Sequence, residues 1–114
     1  KMGQWVKGKS ADTFGPIGPY LVTKDEIPDV QKLNLSLDLN GKRMQTGNTS
    51  NMIFNINFIL SYLSNFMTLL PGDIVTTGTP PGVGMGKKPP LYLKPGDEMR
   101  LAIDHLGEQH QKVH

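Results

Sequence analysis

The stretch LNLSLDLNGKRMQT, residues 33–46, decides the fold class, because it joins strand periodicity to a strong turn signal. From Leu33 to Leu39 leucine alternates with Asn, Ser and Asp, the period of two that is typical of a half-buried strand. Asn40-Gly41 follows at once, and this dipeptide favours a two-residue hairpin turn. We therefore expect residues 42–46 to return antiparallel to the first strand.

An amphipathic helix is predicted further along the chain, over about residues 50–66. Apolar residues recur there at intervals of three and four, which is the spacing of one helix face. Asn48 or Thr49 can accept the hydrogen bonds of its first turn. We interpret the apolar face as part of the core rather than as a cofactor site, and we expect sequence outside the chain or a second subunit to cover it.

Short strands account for most of the remaining structure. The pattern indicates strands at Glu98–Ile103 and Gln109–Val113, and shorter ones at Tyr20–Thr23 and Ile74–Thr77. Residues 1–19 are polar and rich in glycine, so they are predicted to be mostly loop. The whole reads as an α+β domain that is mainly β, with one helix.

The segment LLPGDIVTTGTPPGVG, residues 69–84, carries the clearest functional pattern. Pro71-Gly72 predicts a turn, because proline presets φ and glycine accepts a positive φ. Beyond Thr77 the chain offers a threonine hydroxyl and backbone N–H groups beside Gly78, where no bulky side chain blocks a small anionic ligand. A loop that needs glycine and proline only in order to turn is an equal alternative.

Composition excludes several classes of function. With a net charge of +2 the 114-residue chain offers no argument for nucleic acid or an anionic membrane. There is no cysteine, hence no disulfide and no thiolate zinc site. No apolar run approaches the roughly 20 residues that span a bilayer. Three histidines, His105, His110 and His114, lack a carboxylate arrangement typical of a metal site and are predicted to lie in turns or at a sheet edge.

The segment GQWVKGKS, Gly3–Ser10, matches the phosphate-binding P-loop pattern letter for letter. A P-loop requires a buried strand before it and a helix after it. Only Lys1 and Met2 precede, and the glycines and prolines of residues 15–19 forbid a useful helix, so we do not expect a P-loop NTPase. Lys9 is then either a solvated surface lysine or a cation directed at an anion.

Taken together, several separate motifs resemble the fumarylacetoacetate hydrolase family, in order and spacing, over essentially the whole chain. The matching segments are Gly8–Pro19, Leu39–Gly41 with Gln45 and Thr49, Leu69–Gly84, Tyr92–Asp97 and Leu106-Gly107. The chain is similar to the C-terminal part of that family's catalytic domain. It opens at Lys1 in what reads as mid-fold sequence, so we expect further sequence upstream.

The resemblance implies a mixed β-roll or sandwich with flanking helices, a cytoplasmic homodimer, and a Mg²⁺ or Mn²⁺ site. The family's carboxylate ligands, and its catalytic His and Glu, would lie upstream of Lys1. Three positions carry over: Lys9 matches the active-site lysine, Thr13 matches a threonine beside the metal in some members, and Thr79 with Gly78 matches the Thr-Gly-Thr loop that holds the substrate.

The activity that the resemblance implies is metal-dependent hydrolysis of a C–C bond in a 2-oxo or 1,3-dioxo acid. An oxaloacetate-type decarboxylase or an enol–keto isomerase is the close alternative, because an enolate serves all three reactions. A nonenzymatic binding module is the distant alternative.

Overall fold

A computed structural model of the chain describes residues 3–114, so Lys1 and Met2, the start of the predicted loop, lie outside the described part. Four strands form its centre: β1 Asn34–Leu39, β2 Lys42–Asn48, β3 Glu98–Ile103 and β4 Gly107–Lys112. They make one antiparallel sheet in the order β2-β1-β3-β4. The expected α+β class, mainly β, is confirmed, and β4 begins and ends slightly earlier than predicted.

Two hairpins build this sheet. The predicted turn at Asn40-Gly41 joins β1 to β2, and both residues have a positive φ, 50° and 76°, as a type I′ turn requires. His105 lies in the turn between β3 and β4, and His110 lies on β4 at the sheet edge, as predicted.

The first hairpin contains a β-bulge. Leu37 pairs with Gln45 and Asp38 with Arg43, so Met44 has no partner on β1. A bulge of this kind redirects the side chains beside it. The irregularity therefore falls next to Gln45.

The sequence uses one turn twice, at Leu70–Asp73 and Lys94–Asp97. In each turn the aspartate N–H donates to the carbonyl three residues earlier, and the aspartate carboxylate accepts from that residue's N–H. Asp97 is only 5% exposed and also accepts from Asn40 Nδ2 at 2.9 Å, which ties this turn to the hairpin of β1 and β2. Asp73 makes no such contact within residues 3–114.

The predicted helix is shorter than its apolar pattern. α2 spans Ile56–Ser64, and Asn55 caps it by accepting from Phe58 N at 2.7 Å. Asn48 instead caps a separate 3-10 turn, Thr49–Asn51, and Met52 leaves that turn in an extended conformation. The prediction of a start near residue 50 was wrong because a turn and a helix, each with its own Asn cap, continue the same apolar spacing.

Three local predictions fail. Tyr20–Thr23 and Ile74–Thr77 are not strands, because an extended segment needs a partner and none pairs with them within residues 3–114. The region predicted as loop contains a short helix, α1 Trp5–Lys9.

None of the helices in the described part of the chain is long and apolar enough to cross a membrane.

Most large apolar side chains in this segment remain exposed. Ile27 and Leu33 are the buried apolar residues of the described part. Along α2 no residue is buried, so the expectation that its apolar face forms core is not met by residues 3–114 alone. An aromatic row lies on this helix and its flanks, with adjacent ring centroids 4.8–6.2 Å apart: Phe54, Phe58, Tyr62 and Phe66. These surfaces are what a hydrophobic partner would cover.

Candidate functional site

The loop that carries Thr79 is attached to β2 by the Gln45 side chain. Gln45 Nε2 lies 2.8 Å from Thr79 Oγ1 and 2.7 Å from the Pro80 carbonyl oxygen. Thr79 itself is exposed, whereas Gln45 is half-buried. A ligand can therefore reach the Thr79 hydroxyl, although its partner is held in the sheet.

Two glycines let the same loop approach β2 closely. A Cβ at Gly82 would lie 2.1 Å from the Met44 carbonyl oxygen, and a Cβ at Gly47 would lie 2.8 Å from Pro80 Cβ. Gly82 also has a φ of +113°, which L side chains rarely adopt. These contacts flank Gln45 on both sides, so the loop is seated on β2 over several residues.

Beyond Gly82 the chain continues across an apolar part of the sheet. Gly84 O accepts from Leu91 N at 2.9 Å, which closes this part of the loop. A cavity of about 210 Å³ remains beneath it, lined by Leu37, Met44, Val83, Leu91 and Met99 among others. The same loop therefore presents a polar end at Thr79 and an apolar end over the sheet.

Gly78, the other predicted binding residue, directly precedes Thr79 and has a φ of +89°. A Cβ there would meet no atom within 4 Å, so the space around it is open. The structure thus keeps Gly78 and Thr79 together, as adjacent exposed residues of the loop on β2.

Lys9 lies at the end of α1, and its ammonium pairs with no carboxylate within residues 3–114. Thr13 follows in an exposed turn with a φ of 67°. No hydrogen bond in the described part of the chain joins Lys9 or Thr13 to Thr79 or Gly78. The Gly3–Ser10 segment forms a helix within the motif rather than a loop before one, which agrees with the expectation that it is not a P-loop.

The acidic side chains of this segment serve its structure. Donation from Asn40 and from the Lys94 N–H lowers the pKa of Asp97, and the Gln31 N–H together with Lys32 lowers the pKa of Asp29. No group of three His, Asp or Glu side chains in residues 3–114 could hold a metal ion. The donor set of this segment therefore does not fit by itself the divalent cation that the resemblance implies.

Sequence analysis assigned no role to Gln45, although this residue is among those that match the family's motifs. It stands opposite Leu37, so its amide shares a sheet face with the apolar row of β1. An uncharged polar side chain at such a position is a signal that could have identified it, because a half-buried amide requires partners.

The chain matches the family described as "Fumarylacetoacetate (FAA) hydrolase C-terminal" over residues 1–114. It belongs to this family. A relative from Burkholderia cenocepacia, provisionally named a hydrolase, is 62% identical over 97% of this chain and 40% of its own length. The chain thus spans about 40% of the curated relatives that it matches.

Solved structures share the fold. A fumarylacetoacetate hydrolase from Exiguobacterium antarcticum is 41% identical with a TM-score of 0.91, over 94% of this chain and 38% of its own. A maleylpyruvate hydrolase from Sphingobium sp. SYK-6, solved with manganese(II) and pyruvate, is 39% identical with a TM-score of 0.80, over 90% and 36%. A 2-hydroxyhepta-2,4-diene-1,7-dioate isomerase from Mycobacterium marinum is 39% identical with a TM-score of 0.83, over 96% and 40%.

Proposed function

We propose that this chain is the C-terminal part of one catalytic domain of an enzyme that hydrolyses a C–C bond in a 2-oxo or 1,3-dioxo acid. The observation that carries the proposal is the exposed Thr79 hydroxyl beside Gly78, on a loop held to β2 by Gln45. The exposed apolar surfaces support the assignment of residues 1–114 to part of a larger domain. A binding loop on a rigid sheet limits the reorientation that a reacting substrate would otherwise require.

In this proposal Thr79 and the backbone at Gly78 bind the carboxylate or carbonyl end of the substrate. Hydroxide from water adds to the acyl carbon, and the C–C bond then breaks. The electron pair of that bond leaves with the other fragment as an enolate, so negative charge develops on its oxygen. The remaining proton of the water then adds to the enolate carbon. An ammonium placed in advance stabilises such charge strongly, and this is the role that we assign to Lys9.

The proposal includes a Mg²⁺ or Mn²⁺ ion, since a relative of known structure was solved with manganese(II) and pyruvate. Because residues 3–114 contain no suitable donor cluster, we place its carboxylate ligands, and the catalytic acid and base, in sequence outside this chain. Thr13 is proposed to lie near that ion without binding it tightly. A homodimer in the cytoplasm completes the proposal, with no nucleic acid or membrane partner.

Isomerisation is the second candidate, because an isomerase is among the similar solved structures. Decarboxylation follows from the same enolate chemistry. Products separate the three reactions: hydrolysis adds water and yields two acids, decarboxylation releases CO₂, and isomerisation leaves the mass unchanged.

The test is a turnover screen of the full-length enzyme with Mg²⁺ or Mn²⁺, using acylpyruvates, fumarylacetoacetate and oxaloacetate, with products measured by mass spectrometry. We expect two acids from an acylpyruvate or from fumarylacetoacetate. Absence of turnover for every substrate, with intact binding of oxalate, would instead identify a binding module.

A further inference from the structure

We propose that Gln45 is a positioning residue that holds the Thr79 hydroxyl as a hydrogen-bond donor toward the substrate. This inference rests on the proposed role of Thr79 in substrate binding. It concerns a residue of the sheet, one layer behind the loop that meets the ligand.

The contacts determine which end of the Gln45 amide faces the loop. The Pro80 carbonyl oxygen can only accept a hydrogen bond, so the amide atom 2.7 Å from it must be the NH₂ group. That nitrogen has a second hydrogen, and Thr79 Oγ1 lies 2.8 Å away to receive it. The Gln45 amide therefore donates to both loop atoms.

A threonine hydroxyl has one hydrogen and two lone pairs. Because Thr79 Oγ1 accepts from Gln45, its own hydrogen is left for another partner. Within residues 3–114 the alternative acceptor is Pro80 O, at 3.5 Å, which is long for an O–H···O hydrogen bond. The hydrogen is thus available for a carboxylate or enolate oxygen, which bears the negative charge that a donor stabilises.

The position of Gln45 in the sheet makes this arrangement rigid. The bulge at Met44 sets the direction of the adjacent side chain, and close contacts at Gly82 and Gly47 hold the loop on either side. Fixing the rotamer of a contacting group before the ligand arrives lowers the entropy that binding must overcome.

Two substitutions separate positioning from simple stability. Gln45→Leu removes both donors, so we expect KM to rise about tenfold with a smaller change in kcat. Gln45→Glu keeps the shape but offers an acceptor, which would take the Thr79 hydrogen, so KM should rise at least as much. Gln31→Leu is the matched control, because the Gln31 amide bonds Thr49 O and Ile56 N, away from the loop. It should lower thermal stability without raising KM.

A double-mutant cycle in the full-length enzyme gives the decisive readout. If Gln45 acts through Thr79, then Gln45→Leu should have little effect on KM, or on oxalate affinity with Mn²⁺, once Thr79→Val is present. If the KM of the double variant rises by the product of the two single fold-changes, the inference is overturned. An unchanged KM in Gln45→Leu would overturn it as well. If Gln45→Leu fails to fold, Gln45→Glu takes its place in the same cycle. Failure of the proposed function itself would look different, since Thr79→Val alone would then leave both KM and oxalate affinity unchanged.

Discussion

Substitution of Gly82 by alanine tests whether the loop must lie directly on β2. The new Cβ would lie 2.1 Å from the Met44 carbonyl oxygen and 3.1 Å from Gln45 Cγ. Since real Cβ atoms essentially never come within 3.0 Å of such an atom, the loop or β2 must retreat by the difference, about 0.9 Å. That shift would stretch the hydrogen bonds from Gln45 to Thr79 and Pro80.

The expected loss of stability has two sources. A side chain forced to adopt a φ of +113° costs on the order of 1–3 kcal/mol. Each weakened hydrogen bond removes roughly 0.5–1.5 kcal/mol more. With two such hydrogen bonds, we therefore expect Gly82→Ala to lower the free energy of unfolding by about 2–6 kcal/mol. A displacement near 1 Å at a binding loop can also reduce catalytic efficiency by about 10²-fold.

Two other glycines separate these contributions. Gly72 has a φ of +96° with no atom within 4 Å of its would-be Cβ, so Gly72→Ala measures backbone strain alone. At Gly86 the nearest atom is 3.8 Å away and φ is ordinary, so Gly86→Ala should change stability by no more than about 0.5 kcal/mol.

The assay is urea unfolding of the full-length enzyme and its three variants, together with kcat and KM for the substrate found in the screen. We expect the order Gly86→Ala, Gly72→Ala, Gly82→Ala from least to most destabilised. If Gly82→Ala is no less stable than Gly72→Ala and keeps wild-type KM, then the loop does not need its contact with Met44 and the reasoning fails.

Three further outcomes follow from the site and the fold. Lys9→Met should lower kcat by about 10²–10³ with little change in stability. Lys7→Met, two residues earlier on the same exposed helix, is the control and should leave kcat unchanged. Equal turnover of the two variants would show that Lys9 is an ordinary surface residue. In a thermal-shift assay Mg²⁺ with oxalate should raise the melting temperature, whereas ATP should not, because only Mg²⁺ with oxalate is expected to bind the native state. A rise with ATP and none with Mg²⁺ and oxalate would favour a P-loop after all. The pKa of Asp97 is lowered in the folded protein, chiefly by Asn40, from a reference of 3.8. Its carboxylate therefore contributes stability above the unfolded pKa, and this contribution is lost as pH falls through the lower folded pKa. Acid unfolding of Asp97→Asn should show a weaker pH dependence in that range, and parallel curves for the variant and wild type would contradict this.

Local signals in the sequence were sufficient for the first hairpin and for β3, but not for the order of the strands in the sheet. The Leu33–Leu39 alternation and Asn40-Gly41 specify a strand and its turn within one short segment, so the first hairpin is predicted correctly. β3 is also predicted with its exact bounds, because it follows a Pro-Gly turn that closes locally.

Elements that depend on distant partners were not predictable in this way. Ile74–Thr77 has strand propensity, but propensity cannot supply a neighbouring strand. α2 begins later than its apolar spacing because Asn48 caps a separate 3-10 turn, whereas Asn55 caps the helix itself. The hydrogen bonds of Gln45 to Thr79 and Pro80 join residues far apart in the chain. Hydrophobic periodicity is a local pattern, so it does not predict such contacts.

The strand order β2-β1-β3-β4 has a consequence for the route by which the chain folds. Each hairpin forms from neighbouring residues, but pairing of Leu37 with Leu101 must close the long segment between them. Hairpins form within microseconds, and a long closure is slower because its entropy cost precedes the contacts that offset it. Thr79 lies inside that segment, and its anchor, Gln45, lies on the first hairpin. The contact of Gln45 with Thr79 spans 34 residues, fewer than the pairing of Leu37 with Leu101. We therefore expect the loop that carries Thr79 to dock on the first hairpin before β1 and β3 pair, which shortens the segment that this last pairing must close.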